Sequence, residues 1–290
     1  MLGLDLTLSY NGSPVVHGAT LALEPGRITA LVGPNGSGKS TLLRAFARLH
    51  PIDAGGLFLG PRDPESAQAV TAESGADASA IGKREFARRV TLLAQSRPTP
   101  TGLSVREVVE FGRHPHRGRW ARADEKGTAI VDRAMTLTGI DTLADRPVDR
   151  LSGGQLQRVW LAGCLAQDTD VLLLDEPTTY LDLRYQVELL DLIQDLAAVH
   201  GVTIGVVLHD LDQAAAIADT VVLLEAGRVR AAGTPLEVFD TELLSSVYGI
   251  RVDVHVDART GRIRTNARSR HEPAPLPAVS PTTLRAPIPA

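Results

Sequence analysis

A single cysteine, Cys164, occurs among 290 residues, which excludes an internal disulfide framework and fits a reducing compartment. It lies among Leu161, Ala162, Leu165 and Ala166 and reads as a buried structural thiol rather than a nucleophile. No run approaches the roughly 18 consecutive apolar residues needed to cross a bilayer. Met1-Leu2-Gly3-Leu4-Asp5 has neither the basic nor the apolar region of a signal peptide. A cytoplasmic chain is therefore expected, reaching a membrane only through a partner. A strong charge of one sign is also missing: the formal net charge is −4, so there is no general attraction to nucleic acid or anionic lipid. Arg262, Arg264, Arg268, Arg270 and Arg285 leave the C-terminal end basic, which reads as a solvated tail before a lipid- or RNA-binding arm. No internal repeat is visible, so tandem duplication is excluded. The length suits two domains or one large one.

What is present is an alternation of short apolar runs with helical stretches. Leu2, Leu4, Leu6 and Leu8 alternate with Gly3, Asp5, Thr7 and Ser9, the period of a half-buried strand. Residues 15–23 predict a second strand, ended by Glu24-Pro25-Gly26. Residues 28–32 form a short apolar strand running into a glycine loop and a helix bearing Leu42, Leu43 and Phe46. Further buried-type strands are predicted at 90–93, 171–174, 202–208 and 221–224, with helical periodicity between them, as at Leu189, Ile193 and Leu196. This pattern implies a largely parallel α/β core. Residues 97–167 are mostly helical and read as a lobe inserted between two core strands. Residues 61–80, rich in Pro, Ala, Ser and acids, predict an exposed loop. The main domain is expected to span 1–265, with a disordered Pro/Ala-rich tail at 266–290.

Gly33-Pro34-Asn35-Gly36-Ser37-Gly38-Lys39-Ser40-Thr41 matches G-x-x-x-x-G-K-[ST] between a strand and a helix. The glycines let backbone N–H groups converge on phosphates, and the helix start adds a favourable dipole. Lys39 is expected to reach the β- and γ-phosphates and Ser40 to ligate Mg²⁺. Asp175-Glu176 ends an apolar strand. After such a loop, Asp175 is expected to hold the metal through water, and Glu176 to act as general base on the attacking water.

Leu151-Ser152-Gly153-Gly154-Gln155 is a second Gly-rich turn opening a helix, in a chain with only one nucleotide loop. Its N–H groups and the Ser152 hydroxyl suit the γ-phosphate of a nucleotide held by another copy. Ser152 also suits an ordinary helix N-cap, with the same geometry, so both readings stay open.

In order and spacing these motifs resemble the nucleotide-binding subunit of ABC transporters, from Leu4 to about Arg264. The resemblance implies an α/β fold: a P-loop NTPase core with a parallel sheet, an antiparallel β subdomain and an inserted helical lobe. It implies an ATPase using ATP and Mg²⁺. On it, Tyr10 stacks on adenine, Gln95 ligates Mg²⁺ and senses the γ-phosphate, and 151–155 is the family signature. Asp182, in Tyr180-Leu181-Asp182, belongs to the loop crossing the dimer interface, and His209 is the switch histidine on the γ-phosphate. A homodimer is implied, held at the cytoplasmic face of the membrane by permease subunits, with an extracytoplasmic substrate-binding protein acting indirectly.

The run 177–186 departs from the widespread Ser-Ala-Leu-Asp form and is similar to importers of ferric siderophores, haem and cobalamin. Leu208 to Ala214, Gly233-Thr234-Pro235, Val247-Tyr248-Gly249-Ile250 and Phe111-Gly112-Arg113-His114-Pro115-His116 continue that likeness. A ferric siderophore is the expected cargo, with haem or cobalamin as alternatives. The His114/His116 pair lacks a carboxylate or Cys partner and reads as structural before metal-binding. Departures from the subfamily are the long loop around 64–77, the tail, and Gly163, which lowers helix propensity beyond the signature. Non-transport relatives acting on DNA or ribosomes carry long coiled coils or tandem nucleotide domains, neither of which occurs here, so no nucleic-acid partner is expected. A metabolite kinase would leave 151–155 unexplained.

Overall fold

Runs of Ile, Val and Leu without alternation are the mark of strands buried on both faces, and they build the centre of this molecule. The computed structural model describes residues 1–61, 70–95, 97–117, 124–179 and 181–269. The strands are β1 (Leu2–Tyr10), β2 (Ser13–Ala22), β3 (Ile28–Val32), β4 (Ala54–Leu59), β5 (Ala76–Asp77), β6 (Val90–Leu93), β7 (Val171–Asp175), β8 (Thr203–Val207), β9 (Thr220–Glu225), β10 (Arg228–Gly233), β11 (Val252–Val256) and β12 (Ile263–Ala267). The helices are α1 (Lys39–Phe46), α2 (Lys83–Phe86), α3 (Val105–Glu110), α4 (Gly127–Leu137), α5 (Gly153–Ala166), α6 (Leu183–Ala198), α7 (Leu211–Ile217), α8 (Pro235–Val238) and α9 (Thr241–Tyr248).

The central sheet has the order β10-β9-β3-β8-β7-β6. Strands β9, β3, β8, β7 and β6 are mutually parallel, and β10 is antiparallel at the edge. Every residue of β3, β6, β7 and β8 is buried. A second, antiparallel sheet has the order β2-β1-β4-β5, and β11 and β12 form a separate hairpin. Among the described residues no helix is long and apolar enough to cross a membrane.

Three details differ from simple sequence patterning. The alternation in β1 breaks at Asp5, whose φ of 50° accompanies a register shift. Gly3, Leu6 and Leu8 are therefore the buried set, and Leu2 and Leu4 lie half out. Gly3 faces Phe46, and a Cβ there would come within 2.7 Å of its ring. Second, the stretch expected as loop ends in structure: Ala76 and Asp77 pair with Leu59 and Phe58, and Asp77 caps a short 3-10 turn that buries Ala78. Third, pairing continues past 265, because β12 runs to Ala267 and Arg268 ion-pairs with Asp253. Residues 62–69 of the loop and 270–290 of the tail lie outside the described residues.

The lobe consists of α3, α4 and α5, between β6 and β7. It has its own core, including Val105, Val109, Val131, Met135 and Ile140. Helix α5 serves two cores at once: Val159, Ala162 and Ala166 pack into the lobe, while Leu161 and Cys164 pack into the main sheet core. Close approach explains the glycines here. A Cβ on Gly112 would lie 2.1 Å from the Gly163 carbonyl oxygen, so the two chains meet backbone to backbone.

Candidate functional site

In an open parallel sheet, ligands bind beyond the carboxyl ends of the strands where the strand order reverses. Here that point is β3, flanked by β9 on one side and β8 and β7 on the other. The 33–41 loop follows β3, Glu176 follows β7 and His209 follows β8. Gly33 has φ of 141°, and a Cβ would lie 2.1 Å from the Leu224 carbonyl oxygen. Gly38, at φ of 97°, is the N-cap of α1, with Val16 and the Val15 carbonyl packed against it. No side chain caps α1, leaving its first N–H groups for an acceptor outside the helix. Thr41 is half-buried in the first turn of α1, while Asn35 and Gly36 are exposed at the crest of the loop beside half-buried Pro34.

Lys39 is buried and folds back so that Nζ donates to the carbonyls of Gly33 at 2.8 Å and Pro34 at 2.9 Å. Burial pulls its pKa below the usual lysine range, against the opposing pull of Glu176 and Asp175. Ser40 Oγ donates to Asp175 Oδ1 at 2.7 Å. Asp175 Oδ2 has the Arg44 guanidinium at 3.7 Å but no hydrogen bond, and the buried Ser37 Oγ likewise has none. Burial raises the Asp175 pKa, with the Ser40 bond opposing. Orphaned polar atoms are rare in folded interiors. Oδ2 and Ser37 Oγ, beside a hydroxyl–carboxylate pair at a helix start, fit a hydrated hard cation and a phosphate oxygen.

Glu176 sits at φ of 54°, a left-handed conformation uncommon outside glycine and concentrated at functional sites. Its N–H donates to the Val207 carbonyl at 3.2 Å. The carboxylate lies between three side chains: His209 Nε2 is 2.6 Å from Oε1, while Gln95 Nε2 and, at 3.4 Å, Thr179 Oγ1 donate to Oε2. Gln95 thus meets Glu176 rather than the Ser40–Asp175 pair.

The structure brings together Lys39, Ser40, Gln95, Asp175, Glu176 and His209. Other expected residues stand apart. Ser152 Oγ accepts from the Gln155 N–H at 3.3 Å, and the Ser152 N–H donates to Gln155 Oε1 at 3.2 Å, closing a capping box at the start of α5. Gly153 is exposed, with open space around it, and Gly154 is half-buried. Asp182 caps α6, accepting from the Tyr185 N–H at 3.1 Å. Tyr10 is part exposed, its ring centroid 4.5 Å from that of His50. Tyr180 lies outside the described residues. His114 is exposed, whereas His116 Nε2 is 2.8 Å from the Gln167 carbonyl oxygen.

Several residues around the site carried no sequence signal of their own. Gln213 joins Thr178 Oγ1 at 3.0 Å to Gln186 at 3.2 Å, tying together the segments that follow Glu176, Asp182 and His209. Gln157 on α5 donates to the Pro177 carbonyl at 3.1 Å. Tyr248, read only as part of a family likeness, has its phenol pushed up to about 12 by burial, with a hydrogen bond to the Gly33 backbone pulling the other way. Polar residues at helix positions are too common in sequence for any of these to stand out.

A phosphate-loop sheet with an acid pair and a histidine at adjoining strand ends defines a P-loop nucleoside triphosphatase. Comparison with known proteins narrows the class. The sequence profile described as ABC transporter matches residues 16–179. The ferric enterobactin transport ATP-binding protein FepC of Escherichia coli (strain K12) is 42% identical over 262 residues, 89% of this chain and 90% of that protein. The iron(3+)-hydroxamate import ATP-binding protein FhuC of Bacillus subtilis (strain 168) is 37% identical, covering 89% of this chain and 91% of that protein. A solved structure of a metal-chelate type ABC transporter, inward-facing, aligns with a TM-score of 0.76 at 24% identity over 93% of this chain and 97% of that one, a likeness of fold. The chain belongs to the ABC transporter family, as an ATP-binding, ATP-hydrolysing subunit.

Proposed function

We propose that this chain is the ATPase of an importer for ferric siderophores, acting as a homodimer at the cytoplasmic face of the membrane with separate permease subunits. The carrying observation is the Glu176 carboxylate, held by His209 and Gln95 next to the Ser40–Asp175 pair. In this reading Gly33 to Thr41 cradles the phosphates through backbone N–H groups. Lys39 exchanges two neutral carbonyl acceptors for anionic phosphate oxygens, which make stronger, charge-assisted bonds. Ser40 and Asp175 are the residues that would hold Mg²⁺, with Gln95 joining them only on turning its amide away from Glu176, and the bound ion would neutralise charge on the β- and γ-phosphates. Glu176 takes the proton of the attacking water, oriented by His209. Tyr10, backed by His50, offers a ring face for adenine.

The Ser152–Gln155 turn, exposed at Ser152 and Gly153, and the exposed Asp182 complete the site of a second copy. Binding closes the pair, and hydrolysis reopens it. A groove of about 560 Å³ between α1, α2 and the lobe, lined by Arg48, Leu49, Phe86, Phe111 and Trp160, suits an apolar segment of the permease. Leu49 and Phe111 stand exposed at its rim, 70% and 57% accessible. Arg97, two residues after Gln95, stacks on Trp160 at 5.6 Å and so links that groove to the Glu176 carboxylate.

The cargo follows from the relatives' names and the 177–186 run. The test is co-expression with candidate permeases, followed by Mg²⁺-dependent ATPase assays and uptake of radio-iron siderophore, haem and cobalamin. Siderophore uptake that stops without this chain supports the proposal. Uptake of only haem or cobalamin moves the cargo, and ATPase stimulated by DNA or ribosomes with no permease bound overturns transport.

A further inference from the structure

Two turns stand apart from the phosphate loop, and one residue touches both, one through its backbone N–H and the other through its ring. The Tyr185 N–H donates to Asp182 Oδ1 at 3.1 Å, fixing the carboxylate that starts α6. The Tyr185 ring lies against Gly154, where a Cβ would come within 3.0 Å of Cδ2 and 3.1 Å of Cγ. Arg158, four residues along α5, lays its guanidinium over the same ring at 5.2 Å. The same guanidinium donates to Glu188 on α6 and, at 3.4 Å, to the carbonyl of Thr138 at the end of α4. Glu188 also accepts from Arg184 at 2.7 Å. One aromatic ring is thus in contact with the backbone of the Gly-rich turn and with a cation anchored to the ring's own helix.

We infer that Tyr185 is a positioning residue that locks the 152–155 turn to the Asp182 turn, so that a protomer offers both to its partner as one surface. The inference rests on the two-copy ATPase reading above. Its physical basis is the difference in parentage of the two turns. The first opens α5, which belongs largely to the lobe, and the second opens α6, which packs on the central sheet. Arg158–Glu188 and Gln157–Pro177 also tie α5 to this region, and without the ring beside them lobe movement would shift one turn against the other more freely, each wrong separation being a state unable to close on nucleotide. A pre-set spacing removes those states before binding and so raises the apparent affinity of the copies for each other. Gly154 is then required for a reason besides its N–H: any side chain there meets the ring. The contacts come from the ring and the amide, not from the phenol oxygen, so phenylalanine should serve as well.

The test uses the full chain carrying Glu176→Gln, so that ATP is not consumed. Affinity for a fluorescent ATP analogue reads the single protomer, sedimentation with ATP and Mg²⁺ reads pairing, and thermal melting reads folding. Tyr185→Ala is expected to leave nucleotide affinity within about twofold and to weaken ATP-dependent pairing by about 3- to 30-fold. Tyr185→Phe is expected to restore pairing. Gly154→Ala alone should impair pairing more than Gly154→Ala does in the Tyr185→Ala background, where the added methyl has room. Unchanged pairing in Tyr185→Ala, failure of Tyr185→Phe, or simple additivity of the two sites would each overturn the inference. If Tyr185→Ala does not fold, Tyr185→Leu, which removes the ring but keeps an apolar side chain, carries the same expectation and the same refutation. Should the Glu176→Gln parent bind ATP yet never pair, the two-copy reading itself fails, and a normal parent with normal variants removes only the role of Tyr185.

Discussion

His209 Nε2 lies 2.6 Å from Glu176 Oε1, across the gap between the ends of β8 and β7. The contact joins two strand ends that are neighbours only because β7 and β8 pair in parallel register, Asp175 opposite Val207. With Gln95 on the second oxygen, the carboxylate is oriented from both sides, and the left-handed backbone at Glu176 aims it.

Glu176→Gln keeps the shape and the two hydrogen-bonding neighbours but removes the basic oxygen. Phosphate release should fall by about 100- to 10,000-fold while ATP still binds. Stopped-assay phosphate measurement beside equilibrium nucleotide binding checks this. Turnover near the wild-type rate would remove Glu176 as the base.

His209→Ala releases one side of that carboxylate. We expect kcat to drop by about 10- to 100-fold, the scale of a misplaced reacting group, with little change in ATP affinity. An equal loss in affinity and in kcat would instead make His209 chiefly a nucleotide ligand.

Lys39→Ala deletes the buried ammonium at the phosphate loop. Loss of a charge-assisted hydrogen bond costs about 1.5–3 kcal/mol, so ATP should bind about 10- to 150-fold more weakly by calorimetry. Unchanged affinity would contradict the assigned role.

Asp175→Asn should be more stable than the parent at neutral pH and inactive. Burial raises the native pKa of Asp175 above the ordinary 3.8, so the ionised carboxylate is less comfortable folded than unfolded. The stability tied to the protonated form is fully present below 3.8 and is lost as pH rises through the raised native value. The gain in Tm from Asn is therefore largest above that value and fades in acid. A variant less stable than the parent at pH 7 would refute the account.

Phe111→Asp, with or without Leu49→Asp, places charge on the rim of the apolar groove. The purified subunit should keep its basal ATPase while losing co-purification with the permease and transport. Retained transport would move the permease contact elsewhere.

The phosphate loop, the acid pair and the strand preceding His209 were legible because strands buried on both faces are written as plain aliphatic runs. Edge elements were not. β12 is Ile-Arg-Thr-Asn-Ala and β5 is only Ala-Asp, so neither carries an apolar run or a clean alternation. The bulge at Asp5 moved the buried set of β1 by a backbone change that no side-chain pattern records. Gln95 was assigned a metal-binding role by resemblance, and the fold puts its amide on Glu176. The meeting of Gly154 with Tyr185 spans 31 positions and two helices, and only the packing of α5 on α6 brings it about.

Helix α5 also limits how this protein can be recombined. Because Leu161 and Cys164 lie under the central sheet while Val159 and Ala162 lie inside the lobe, no cut frees one body from the other. A chimaera that exchanges residues 97–167 with a relative carries part of the recipient's sheet core away with the graft. Permease-facing surfaces and the catalytic core of this chain must therefore change together, and diversification of one is paced by the packing of the other.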